Sequence, residues 1–99
     1  MYAVITRRTA NPARQAEARE RGPQESFPQL QRAPGFWDFY LVTGEDGVTT
    51  SVSLWEDRAQ ADAFRSQQQG WLDALEGMGF RSVTDHENYP LIGRFDHLV

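Results

Sequence analysis

The stretch Phe36 to Val42, FWDFYLV, constrains the fold more than any other part of the chain. It is rich in aromatic and β-branched residues and reads as a strand. A strand with one wet face alternates apolar and polar positions. This one is apolar on both sides, so both faces of its sheet must be covered. Gly44 to Gly47, GEDG, follows as a turn, with Asp46–Gly47 favouring a tight hairpin. Val48 to Trp55, VTTSVSLW, is the return strand.

Around this hairpin the chain reads as two further β-α pieces. Tyr2 to Arg7 is a first strand. Asn11 can cap a helix whose first residue is Pro12, and helix-favouring residues run to Gly22. A second helical piece runs from Pro23 to Arg32, with Phe27 and Leu30 on one face and a kink or break expected at Pro28. After the hairpin, Asp57 can cap a helix beginning near Arg58. Phe64, Gln68, Trp71, Leu75 and Met78 fall on one stripe of that helix, and Gly70 is a place for it to bend. The segment Arg81 to Pro90 stays open between strand, loop and a short helix. Leu91 to Val99 reads as the last strand.

The order β-α-β-β-α-β predicts an α+β, ferredoxin-like antiparallel sheet with two helices on one face. A chain of 99 residues is expected to form one domain over residues 1–99. The helices can cover one face only, so the other face needs a partner. A second copy, joined sheet to sheet, is the simplest closed solution.

A two-residue turn at Asp46–Gly47 would pair Leu41 with Val52 and Phe39 with Leu54. It would then put Asp38, Tyr40 and Val42 on the face of Ser51, Ser53 and Trp55. A three-residue turn would reassign these partners.

Composition narrows the function classes. The formal net charge of −4 argues against a nucleic-acid groove. No cysteine is present, which excludes disulfides, thiolate catalysis and zinc–cysteine sites. The N-terminal residues do not have the order or length of a signal peptide, and no run reaches membrane-spanning length. A cytoplasmic protein without a membrane partner is the expectation. Asp85, His86 and Glu87 are potential metal ligands, but consecutive loop residues rarely converge on one ion, and only His97 could join them. No metal site is expected. The arginines at 7, 8, 14, 19 and 21 read as a solvated strand edge and helix face. Arg65 could reach a ligand anion, with an ion pair to Asp62 as the competing reading.

MYAVITRR, APGFWDFYLV, TSVSLWEDRAQADAF and Trp71 together resemble the antibiotic biosynthesis monooxygenase family, over most of the chain. The resemblance implies a dimeric α/β barrel. In one branch of that family it implies cofactor-independent oxidation of a small phenol, anthrone or quinol in a dry aromatic pocket between sheet and helices. On that basis Asp38, Tyr40 and Trp55 are candidate catalytic residues. Trp71, Ser51 and Ser53 are candidate substrate-binding residues. The competing reading, favoured by ordinary packing and exposure, makes each of these aromatics a packing residue and Asp38 a solvated carboxylate. A second branch degrades haem with an Asn on the first strand and a His on the second helix. This sequence has neither, so no haem or other cofactor is expected. The competing function is a non-catalytic dimeric module that binds a small ligand or serves as structure.

Overall fold

The computed structural model describes residues 1–9, 11–83, 87–90, 93–94 and 97–98. The first strand, β1, is Tyr2–Thr9. A 3-10 turn, Pro12–Arg14, leads into α1, Gln15–Glu25, and then α2, Phe27–Arg32. β2 is Phe36–Thr43 and β3 is Val48–Trp55. α3, Arg58–Gln67, and α4, Gln69–Gly77, follow. β4 is Glu87–Pro90, and two short strands, β5 Gly93–Arg94 and β6 His97–Leu98, pair with each other.

The main sheet is antiparallel with strand order β2-β3-β1-β4, the ferredoxin-like arrangement. Its fourth strand lies at 87–90, inside the segment whose sequence left the choice open. The stretch expected to supply that strand, 91–99, instead contains the β5–β6 pair. Arg81 to Val83 runs beside the far end of β1: Thr9 N donates to Arg81 O at 2.8 Å, and Val83 N donates to Arg7 O at 2.8 Å.

Helix ends follow local chemistry. Asp57 Oδ1 accepts from Gln60 N at 2.9 Å, the expected cap of α3. Asp57→Ala should lower the unfolding free energy by about 1 kcal/mol, checked by urea denaturation. Asn11 does not cap: its amide donates to the Met78 carbonyl instead. The first helix runs through Pro23 and breaks at Ser26, two residues before Pro28. Pro28 then sits in the first turn of α2, where its missing N–H costs nothing. The second helix breaks at Gln68 rather than at Gly70. On the outer side of α1, Arg14 and Arg21 pair with Glu17 and Glu25, as a solvated face should.

The hairpin corrects the expected register. Gly47 N donates to Gly44 O and Gly44 N to Val48 O, so the loop has three residues, Glu45 to Gly47. Gly47 takes the left-handed conformation, φ +78°, that ends such a loop. Phe39 therefore pairs with Ser53, Tyr40 with Val52 and Leu41 with Ser51. A one-residue shift exchanges the faces of one strand against the other. A bulge between Phe36 and Asp38 adds a second change of parity. It lets Phe36 and Phe39 both reach the helix side, while Trp37 and Tyr40 stay more than half exposed.

The core lies between the sheet and the helices. Val4, Leu30, Trp55 and Ala61 form its buried centre, with Phe36, Phe39 and Phe64 packed around them. The opposite sheet face carries Ile5, Tyr40, Val42 and Val52. Of these, Tyr40 and Val42 are 55% and 62% exposed.

Candidate functional site

β1 and β3 pair so that Val4 lies opposite Ser53, Thr6 opposite Ser51, and Arg8 opposite Thr49. These residues share the helix-facing side with Phe39, Leu41 and Thr43 of β2. Between this side and the helices is a cavity of about 390 Å³. Small-molecule sites are commonly of this size. The sheet forms its floor. Phe27 and Leu30 of α2, Phe64 of α3, and Trp71 and Leu75 of α4 form much of its roof, with Phe80 beyond α4.

Trp55 is 1% exposed and occupies the inner end. Its ring meets Phe36 edge-on at 5.6 Å between centroids and Phe64 at 5.2 Å. Its indole N–H donates to Ser53 Oγ at 2.8 Å. A serine hydroxyl accepts and donates at once, so Ser53 keeps its own proton for a ligand. Trp71 packs over Gly22, where an added Cβ would lie 3.7 Å from the indole. The Arg21 guanidinium sits 5.8 Å from the Trp71 ring centroid on the outer side. The buried Gln68 accepts from Ser26 Oγ at 2.7 Å and donates to Gln29, which ties the two helix breaks together.

Of the six residues expected at the site, four line this cavity: Trp55, Trp71, Ser51 and Ser53. Asp38 and Tyr40 do not. The three-residue loop turns them to the other side of the sheet, where Tyr40 Oη donates to Asp38 Oδ2 at 2.7 Å. Asp38 Oδ1 also accepts the Phe39 N–H at 2.9 Å. Among the described residues no carboxylate and no imidazole lines the cavity. Asp85 and His86 lie outside the described residues.

Three arginines line the cavity instead: Arg8, Arg19 and Arg65. Arg8 is half-buried and donates to the Phe80 carbonyl at 3.2 Å. Burial pushes its pKa down, nearby Glu76 opposes that, and the like charge of Arg65 adds to it. Arg65 is not paired with Asp62, whose carboxylate lies 3.8 Å from Arg58. The sequence reading placed Arg8 and Arg19 on solvated surfaces. The two-residue spacing of Val4, Thr6 and Arg8 was the signal that Arg8 shares the face of a core valine.

The family model for antibiotic biosynthesis monooxygenase matches residues 1–74. Comparison with curated proteins finds no match. Among solved structures, HapK from Hahella chejuensis superposes with a TM-score of 0.72 at 20% identity, covering 95% of each chain. SnoaB from Streptomyces nogalater, a cofactor-independent oxygenase, gives 0.66 at 18%, also covering 95% of each. Rv0793 from Mycobacterium tuberculosis gives 0.63 at 19%, covering 91% of this chain and 94% of its own. At these identities the likeness is one of fold.

Proposed function

This chain belongs to the antibiotic biosynthesis monooxygenase family, and from that premise we propose that it oxidises a small aromatic of the phenol, anthrone or quinol type with dioxygen and without a cofactor. The observation that carries the reading is the cavity itself. It is an aromatic-walled space with Trp55, Trp71, Ser51 and Ser53 around it and the Ser53 proton left to donate.

The chemistry suits those residues. An electron-rich phenol or anthrone loses a proton and becomes an anion that dioxygen can attack. For an anthrone, the methylene carbon takes one oxygen atom, and the other leaves as water with the two methylene hydrogens. Residues of this chain hold the flat ring, exclude water and donate to the developing oxyanion. The last task falls to Ser53 in this reading, which is supported by the indole N–H that its hydroxyl accepts. With no carboxylate facing the cavity among the described residues, a substrate that is itself acidic fits better than one needing a strong base.

We infer that the protein works as a homodimer. The apolar outer face of Tyr40, Val42, Ile5 and Val52 supports this, since helices pack on the other side.

A panel of phenols, anthrones and quinols, followed with an oxygen electrode, tests the reading. At least one should consume oxygen in proportion to substrate. Ser53→Ala should lower kcat on it by about tenfold to a hundredfold, near the loss for an oxyanion donor. That no carboxylate or imidazole lines the cavity among the described residues favours a second reading, a non-catalytic ligand-binding module. Binding of these compounds with no oxygen uptake from any of them would establish that one.

A further inference from the structure

The cavity changes character along its length. Along β1 its lining passes from Val4 through Thr6 to Arg8, and along β3 from Trp55 through Ser53 and Ser51 to Thr49. At about 3.3 Å per residue, Val4 and Arg8 are separated by about 13 Å. One end is therefore aromatic and dry. The other end is cationic, with Arg65 close enough to repel Arg8 and Arg19 at the exposed rim.

Among the described residues Glu76 acts on Arg8 from outside the lining, and no carboxylate lines the cavity itself. Among the described residues Arg8 makes one hydrogen bond, to the Phe80 carbonyl, out of the five N–H groups a guanidinium offers. Neither Arg19 nor Arg65 has a carboxylate at ion-pair distance among the described residues, although Asp62 stands near Arg65 in sequence and pairs with Arg58. The chain as a whole is acidic, with 14 Asp and Glu against 10 Lys and Arg. Three lining arginines, with no carboxylate among the described lining residues, therefore set this end apart from the bulk surface charge. Bringing like charges together beside an apolar space is unfavourable until an anion sits between them.

Resting on the reading that the cavity holds an aromatic substrate, we propose that this substrate carries a carboxylate. Its ring would lie toward Trp55 and its carboxylate between Arg8 and Arg65, at the opposite end of the molecule from the carbon that is oxidised. Planar forked guanidinium groups suit a carboxylate. The charged end also orients the ligand, since an anion cannot be placed against Trp55, Phe64 and Leu30 without large desolvation cost.

The test compares 6-hydroxy-2-naphthoate with 2-naphthol, which lacks the carboxylate and is neutral at neutral pH, by calorimetric titration. The naphthoate should bind about tenfold tighter, or about 1.4 kcal/mol, with the advantage shrinking as salt is raised. Arg65→Gln, at an exposed helical position, should remove most of that advantage and leave naphthol affinity within about twofold. Arg8→Gln should do the same, and if that variant does not fold, Arg65→Gln decides alone. Arg58→Gln, on the same helix, removes the same charge away from the cavity and should keep the advantage. Equal wild-type affinity for the two probes, or an advantage that survives Arg65→Gln, overturns the carboxylate assignment while the aromatic site stands. Failure of both probes to bind at millimolar concentration overturns the aromatic site and this proposal together.

Discussion

Trp55→Ala should lower the unfolding free energy by about 3–5 kcal/mol, the usual cost of removing a large buried aromatic. Few single changes in this chain should cost more. The indole is 1% exposed, wedged between Phe36 and Phe64, and is one of the two largest fully buried side chains. A loss of that size is a large share of the stability of a small domain. Ligand binding measured on this variant would report folding as much as contact. Trp55→Phe separates the two. It keeps a ring between the neighbouring aromatics while removing the N–H that polarises Ser53 and part of the indole's volume. Its stability cost should be about 1–2 kcal/mol, read by urea denaturation. Its kcat on an oxidised phenol or anthrone should fall while KM stays nearly level, since the lost interaction acts on the developing oxyanion.

Val42→Lys should convert a dimer into monomers. Val42 is 62% exposed on the face away from the helices, so an isolated protomer tolerates the change with little loss of stability. In a sheet-to-sheet dimer the new ammonium would be buried without a partner. The dissociation constant should rise by about a hundredfold, or about 2.8 kcal/mol. Light scattering across a dilution series reads this directly. A wild-type mass of one chain at micromolar concentration would end the dimer reading. A dimer indifferent to Val42→Lys would move its interface elsewhere.

Much of the architecture was legible because the signals were local. β2 and β3 have the ends that the aromatic run, the GEDG turn and Asp57 imply. Trp55, Trp71, Ser51 and Ser53 do line the cavity, but Asp38 and Tyr40 do not share the face of the two serines as the expected register required. What failed was parity. Asp46–Gly47 was read as the centre of a two-residue turn. In the structure Asp46 Oδ1 accepts the Val48 N–H at 3.0 Å, and Gly47 closes a longer loop. That difference of one residue carried Asp38 and Tyr40 away from the cavity. The aromatic crowding in FWDFY has the same origin: a bulge after Phe36 sends aromatics to both sides of the sheet. Arg8 departs from the solvated reading because a charged residue in sequence looks solvated, whatever the face it shares. The missed fourth strand is non-local, since its pairing with β1 spans most of the chain.

The cavity has a consequence for how long the protein lasts in a cell. A molecule that fits it binds the folded chain and not the unfolded one, because the walls come from segments spread along the sequence between Val4 and Phe80. Free ligand at about a hundred times its dissociation constant adds about 2.7 kcal/mol to folding. Proteases digest the opened fraction, which falls in step. Cellular abundance of the protein would then rise and fall with the supply of the compound it binds, with no change in transcription.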